Sequence, residues 1–131
     1  MGERETHTAS SILVVDDDAS VLAMLRAVLE NHGHQVTSAH SAADARQKLQ
    51  SGSFDMVITD MRMESETAGF DVVRAARSKP DAPAIVILTA YPMLEKQWRE
   101  AGASAGLMKG LPVAQFTAAI DQLLATREQH R

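Results

Sequence analysis

Charged or hydroxyl side chains follow four of the five short apolar segments in this 131-residue sequence. Asp16 and Asp17 come directly after the first segment, Asp60 after the third, Thr89 closes the fourth, and Lys109 follows the fifth. Carboxylates that converge repel one another and lose hydration, so a cluster of them needs positive charge nearby. Mg²⁺ favours such oxygen ligands. A carboxylate held beside Mg²⁺ and an ammonium can act as a nucleophile towards phosphorus.

Each of these residues also has an ordinary structural explanation. An Asp after a strand is commonly a turn residue or a helix cap, and we expect Asp18 to cap the helix that starts at Ala19. Thr89 alone would be a strand-end residue, and Lys109 alone a solvated surface lysine. The chemistry therefore depends on a scaffold that brings all of them to one edge.

The scaffold predicted from the pattern is an α/β fold of five β-α units. The predicted strands are 12–15, 35–39, 56–59, 84–88 and 105–108. Four of the predicted helices are 19–32, 41–50, 93–101 and a last one from Pro112 onwards. The remaining helix starts after Gly69 and ends before Pro80. Alternating strands and helices indicate a parallel sheet with helices on both faces. In such a sheet ligands bind at the carboxyl ends of the strands, where the polar residues are predicted to lie.

Composition narrows the class of protein. The absence of cysteine excludes disulfides and thiolate metal sites. A net charge of −4 with scattered Lys and Arg gives no support for nucleic-acid binding. No apolar run approaches the ~20 residues of a membrane span, and the polar start shows no secretory signal.

We predict one cytoplasmic domain over residues 11–126, with a flexible leader at 1–10 and a polar tail at 127–131. His32 and His34, which flank a predicted turn, are expected to be solvated.

Four motifs together resemble the CheY-like receiver domain of bacterial response regulators, over about residues 11–125. They are Ile-Leu-Val-Val followed by Asp16-Asp17-Asp18, Val-Ile-Thr-Asp60-Met-Arg-Met, Ile-Val-Ile-Leu-Thr89-Ala90, and the run from Ala101 to Lys109. The resemblance implies a flavodoxin-like, doubly wound parallel sheet with strand order 2-1-3-4-5.

The resemblance also implies roles for individual residues. Asp60 would accept a phosphoryl group from a phosphohistidine. Asp17 would bind Mg²⁺ directly and Asp16 through water, while the backbone carbonyl of Arg62 would complete the protein ligands. Ala90 would leave room for the phosphoryl group, and Thr89 and Lys109 would contact its oxygens. The implied partners are a histidine kinase or histidine phosphotransfer protein and a downstream protein target. A monomer or weak homodimer without turnover of an external substrate is expected.

Three positions depart from the usual pattern of that family. Glu64 stands where Pro is usual, in a segment, 63–69, that is one residue longer; we expect this loop to be more mobile or to contact a different partner. Lys109 is followed by Gly-Leu-Pro instead of Pro, so we expect either a trans bond after Lys109 or a differently placed Lys109. Gly106 replaces an aromatic residue, so the usual coupling between hydroxyl and ring cannot operate, and Tyr91 is the nearest aromatic substitute.

Arg62 and Tyr91 lie two residues beyond Asp60 and Thr89, at positions that influence hydrolysis of the phosphoryl group in the family. A bulky pair there could hinder the attacking water, and the resulting hypothesis is a long-lived acyl phosphate. The alternative is that both side chains extend separately into solvent.

Two other functions remain open from the sequence. A Mg²⁺-dependent phosphatase with Asp60 as nucleophile usually needs an acid/base carboxylate two residues later, where this chain has Arg62. A degenerate receiver that only binds partners would fit the altered loop and Gly106. The retained Asp60 and Lys109 argue against that second function.

Overall fold

The alternation of apolar runs and helical stretches is realised in a computed structural model that describes residues 10–91 and 93–129. The strands are β1 (Ser11–Val15), β2 (Gln35–Ala39), β3 (Met56–Asp60), β4 (Ala84–Thr89) and β5 (Ala105–Met108). The helices are α1 (Ala19–Asn31), α2 (Ala42–Ser51), α3 (Ala68–Arg77), α4 (Glu95–Ala101) and α5 (Val113–Gln129). Almost all of the predicted leader and the last two residues of the predicted tail lie outside the described residues.

The five strands pair in parallel in the order β2-β1-β3-β4-β5, which confirms the predicted topology. β1, β3 and β4 occupy the centre and are buried along nearly their whole length. A central parallel strand is covered by helices on both faces, which is why these strands are continuous apolar runs. β2, at one edge, is more polar and its first residue is exposed.

Two apolar cores lie on opposite faces of the sheet, because successive strand residues point to opposite sides. One face packs against α2 and α3, through residues that include Leu13, Val57, Ile87, Leu49 and Val72. The other packs against α1 and α5, through residues that include Ile12, Ile58, Val86, Leu29 and Ile120. The strands that end at the polar edge are therefore packed between helices on both faces of the sheet.

Several details differ from the sequence prediction. α3 begins at Ala68, so Gly69 lies inside its first turn. α5 continues to Gln129, past the predicted end of the domain at residue 126. The extension is stabilised by Arg127, whose guanidinium lies 3.3 Å from Asp55 and 3.4 Å from Asp81. Within the described ranges, no helix has both the length and the apolar character needed to cross a bilayer.

The prediction of a solvated His34 is wrong, because this residue is only 4% exposed. The backbone N–H of Gln35 donates to the carbonyl of Ser10 at 2.8 Å, so the chain just before β1 lies beside the start of β2. The N–H of Ser10 in turn lies 3.4 Å from Nδ1 of His34. His32 is half-buried beside Asp121, at 2.9 Å.

Candidate functional site

Three carboxylates meet at the carboxyl edge of the sheet. Val15 of β1 is in register with Thr59 of β3, so the next residues, Asp16 and Asp60, stand side by side. Asp16, Asp17 and Asp60 can each contribute one oxygen to a group in which all lie within 4.8 Å of one another. Asp16 and Asp60 are buried, whereas Asp17 is exposed. The structure therefore brings together the acidic residues singled out in the sequence.

Lys109 supplies positive charge to this cluster. Its backbone N–H donates to the carbonyl of Thr89 at 2.7 Å, which fixes it at the same edge. Its Nζ lies 3.1 Å from Oδ2 of Asp16 and 3.3 Å from Oδ1 of Asp60. Burial disfavours the ammonium, but hydrogen bonds and charges from both carboxylates outweigh it and raise the pKa of Lys109. Lys109 is thus held as a cation.

Asp60 is in an unfavourable place for a charge. Burial raises the pKa of Asp60, and the neighbouring charge of Asp16 raises it further. Lys109 and a 2.9 Å hydrogen bond from the N–H of Met61 act in the opposite direction without cancelling these effects. The cluster has three carboxylates, and Lys109 pairs with two of them, Asp16 and Asp60. It therefore has both the hard oxygen donors and the excess negative charge that suit a divalent cation.

Thr89 and Ala90 complete the edge beside Asp60. Asp60 is paired with Leu88 of β4, and Thr89 follows directly. Thr89 is 8% exposed, and its Oγ1 accepts a hydrogen bond from the N–H of Tyr91 at 3.2 Å. Ala90 is exposed at the start of the loop that follows β4.

Residues 12–121 match the family described as the response regulator receiver domain. The chain belongs to this family. The receiver domain is 33% identical over 122 residues to the transcriptional regulatory protein ZraR of Escherichia coli K12, covering 92% of this chain and 27% of ZraR. It is 32% identical over 128 residues to the alginate biosynthesis regulator AlgB of Pseudomonas syringae, covering 96% and 28%. The chain therefore spans little more than a quarter of the length of these curated relatives.

Solved structures give the same family. A CheY-like receiver domain protein from Methanospirillum hungatei superimposes with a TM-score of 0.84 at 25% identity, covering 95% of this chain and all (100%) of that one. The response regulator TrrA of Thermotoga maritima, solved in complex with Mg²⁺-BeF, gives a TM-score of 0.77 at 27% identity, covering 87% and 98%.

Arg62 and Tyr91 of this receiver domain contact one another. The guanidinium carbon of Arg62 lies 5.1 Å from the centre of the Tyr91 ring, within the range of a cation–π interaction. Arg62 belongs to the loop after β3 and Tyr91 to the loop after β4, and Tyr91 is 62% exposed. The pair joins the two loops that flank Asp60, so the alternative of two separate side chains in solvent does not hold.

The loop after Asp60 has a tight base that the sequence analysis missed. The N–H of Gly69 donates to the carbonyl of Met61 at 2.8 Å. A Cβ at position 69 would lie 2.6 Å from the carbonyl oxygen of Asp60 and 2.7 Å from Cα of Met61. Only glycine fits so close to this backbone, and the signal in the sequence was a glycine at the start of an amphipathic stretch.

The same loop reaches α2 through Glu64. The N–H of Ala42 donates to both carboxylate oxygens of Glu64, at 3.0 and 3.2 Å. Burial acts to raise the pKa of Glu64, but hydrogen bonds from backbone N–H groups, including those of Ala42 and Ala43, outweigh it and lower the pKa. Glu64 thus ties this loop to a helix of the same chain, and the expectation of a different partner for the loop stays a prediction.

Gly106 is covered by an aromatic ring from another element. A Cβ at position 106 would lie 2.5 Å from Cδ1 of Trp98, which belongs to α4. The receiver domain therefore places an indole against the strand where the family pattern has a ring on the strand itself.

The backbone after Lys109 has ordinary peptide geometry. No described peptide bond is cis, so the bond between Lys109 and Gly110 is trans. Gly110 has a φ of 87°, a conformation that favours glycine.

Proposed function

We propose that this receiver domain accepts a phosphoryl group on Asp60 from the phosphohistidine of a histidine kinase or a histidine phosphotransfer protein. The observation that carries the proposal is the position of the Lys109 ammonium between Asp16 and Asp60 at the carboxyl edge of the sheet. Membership of the receiver family supports the same function.

The transfer needs little covalent chemistry from the protein. A carboxylate oxygen of Asp60 forms a bond to phosphorus while the phosphorus–nitrogen bond of the donor breaks, and the electron pair of that bond remains on the imidazole, which then takes up a proton. Negative charge spreads over the equatorial oxygens in the transition state. Lys109 can pair with one of these oxygens, and the hydroxyl of Thr89 can donate to another.

The acidic cluster is proposed to hold Mg²⁺ through Asp17, Asp60 and the backbone carbonyl of Arg62, with Asp16 acting through water. The fit rests on the convergence of three carboxylate oxygens within 4.8 Å and on the exposure of Asp17, which leaves the cluster open to solvent. The bound ion supplies charge neutralisation at the phosphoryl oxygens. A structural relative from Thermotoga maritima was solved with Mg²⁺-BeF, which agrees with this assignment.

The output is proposed to be a change in protein contacts. The hydroxyl of Thr89 now accepts a hydrogen bond from the N–H of Tyr91, at the start of the loop that leads to α4. A phosphoryl oxygen on Asp60 would accept a hydrogen bond from that hydroxyl, and turning the Thr89 side chain towards it would bias the loop and α4 towards another arrangement. The proposed partners are proteins in the cytoplasm, neither nucleic acid nor membrane, and no turnover of an external substrate is expected.

Intact mass spectrometry after incubation with acetyl phosphate and Mg²⁺ tests this function. We expect one phosphoryl adduct on the parent protein and none on Asp60→Asn. A parent without an adduct would favour the second candidate, a binding-only receiver, which the glycine at position 106 under Trp98 supports. Steady hydrolysis of a phosphate ester such as p-nitrophenyl phosphate would instead indicate a phosphatase.

A further inference from the structure

Glu64 connects the loop that follows Asp60 to a distant helix. Its carboxylate accepts from the N–H of Ala42 through both oxygens, at 3.0 and 3.2 Å, across 22 positions of sequence. We propose that Glu64 is a positioning residue for the Asp60 site, an inference that rests on the proposed function. It acts by fixing the segment that contains Arg62, and it does not touch the reacting atoms.

The contact is more than a local helix cap. α2 already has its own cap, because the side chain of Ser41 accepts from the N–H of Asp44 at 3.0 Å. Glu64 accepts a hydrogen bond from the first N–H of the helix, that of Ala42, to which the Ser41 side chain is not bonded. A carboxylate is favoured at this end of a helix by the helix dipole. The amino end of α2 therefore serves as a fixed anchor for a carboxylate that comes from another part of the chain.

The loop is held at its base as well as through Glu64. The N–H of Gly69 donates to the carbonyl of Met61 at 2.8 Å, and the N–H of Met61 donates to Asp60 at 2.9 Å. Met61 and Met63 are partly buried against the core cluster that includes α2 and α3. Arg62 lies between these two methionines.

Beyond Arg62 the segment is held by the packing of Met63 and by the hydrogen bonds of Glu64 to Ala42. Loss of the Glu64 hydrogen bonds removes the polar part of this support and loosens one end of the segment that carries the proposed carbonyl ligand. Ordering a free segment costs conformational entropy at the moment of binding. Mg²⁺ affinity should consequently depend on Glu64, although its carboxylate is not a proposed ligand.

The test compares Glu64→Ala and Glu64→Gln with Glu66→Ala, which removes an equal charge from the same exposed loop. Isothermal calorimetry measures the Mg²⁺ dissociation constant without any phosphodonor. We expect Glu64→Ala to raise that constant about tenfold, as loss of a ligand-orienting partner does. Glu64→Gln should stay near the parent because its amide oxygen still accepts from Ala42, and Glu66→Ala should match the parent.

The reaction provides a second readout. Phosphorylation of Glu64→Ala by acetyl phosphate should be about tenfold slower at low Mg²⁺ and return to the parental rate at saturating Mg²⁺. Ala42→Pro removes the same N–H from the other side, at a first-turn position where proline is tolerated. In a double variant, the effect of Ala42→Pro on Mg²⁺ affinity should not add to that of Glu64→Ala. If Ala42→Pro does not fold, the Glu64 variants alone decide the proposal.

The two proposals fail in different ways. A parent protein that binds Mg²⁺ without forming an adduct would overturn the phosphoacceptor function, while the dissociation constants would still decide the role of Glu64. Parental Mg²⁺ affinity in Glu64→Ala would overturn the positioning role. Equal weakening in Glu64→Gln and Glu64→Ala would also overturn it, because charge and not the hydrogen bond would then be responsible.

Discussion

Nζ of Lys109 lies 3.3 Å from Oδ1 of Asp60, although β3, which ends at Asp60, and β5, which ends just before Lys109, are separated by β4. The lysine reaches across because its backbone is bonded to the end of β4 and its side chain turns inwards to the acidic cluster. One ammonium serves two buried carboxylates, Asp16 and Asp60. The site therefore carries an excess of negative charge, which should lower the free energy of unfolding.

Asp60→Asn should stabilise the protein at neutral pH when Mg²⁺ is removed by a chelator. Burial and the charge of Asp16 raise the pKa of Asp60 in the folded state. A raised pKa means that the stability contributed by this group is present below its unfolded pKa, about 3.9, and is lost as pH rises through the folded pKa. At pH 7 the ionised carboxylate is therefore a cost, and its removal should gain about 0.5–2 kcal/mol.

Urea denaturation at pH 7 and at acid pH measures this effect. The gain from Asp60→Asn should shrink as pH falls towards the unfolded pKa, because both states then carry the protonated carboxyl. Asp17→Asn is the matched control, since Asp17 is exposed and should gain less. A loss of stability in Asp60→Asn at pH 7 would contradict the sign of this argument.

Gly69→Ala should both destabilise the protein and slow its phosphorylation. The added methyl group would meet the backbone of Asp60 and Met61 at 2.6–2.7 Å, so the backbone that presents the phosphoacceptor must move. Overpacking of this kind costs about 1–3 kcal/mol. Gly52→Ala is the control, because its nearest neighbour is at 3.5 Å and its backbone is extended. Equal denaturation midpoints and equal phosphorylation rates for the two variants would remove the argument.

The sheet, its strand order and the acidic cluster could be predicted because each rests on local pattern. Continuous apolar runs mark the buried parallel strands, and Asp16, Asp60 and Lys109 follow directly where those strands end. Parallel pairing then brings such residues to one edge without further information. Asp18 as a helix cap follows from the same kind of local reasoning.

The contacts between distant elements could not be predicted in that way. Glu64 accepts from Ala42, Trp98 packs on Gly106, and Arg127 extends α5 by contacting Asp55. Each contact depends on the path of a loop or on where a helix lies over the sheet, and no periodicity in the sequence encodes these. The sequence marked Gly106 and the loop around Glu64 as unusual, but only the structure shows what contacts them.

Gly106→Ala should move the indole of Trp98. The new methyl group would lie 2.5 Å from Cδ1, and the ring, which is only partly buried, can yield towards solvent. The protein has one tryptophan, so its emission reports on the surroundings of Trp98 without contribution from another indole. We expect a red shift in Gly106→Ala and none in Gly52→Ala, whose methyl group would face Phe54. An unshifted spectrum in Gly106→Ala would show that the indole does not rest on the strand.

Breaking the contact between Arg62 and Tyr91 should shorten the lifetime of the phosphoryl group on Asp60. The pair joins the two loops that flank Asp60, and the hypothesis of a long-lived acyl phosphate requires that it obstruct the approach of a hydrolytic water. An exposed cation–π interaction contributes about 0.5–1 kcal/mol, so Arg62→Ala or Tyr91→Ala should each speed hydrolysis about two- to fivefold. The double variant should be little faster than either single one, because both remove the same contact.

Loss of the phosphoryl adduct over time, followed by intact mass after removal of acetyl phosphate, measures these rates. Arg99→Ala is the matched control, since Arg99 lies over the ring of Trp98 at 5.5 Å, a contact of the same kind on α4. It should leave the lifetime unchanged, which separates the obstruction at Asp60 from a general effect of losing an arginine. If Arg62→Ala and Tyr91→Ala both decay at the parental rate, water reaches the acyl phosphate by a path that this pair does not cover.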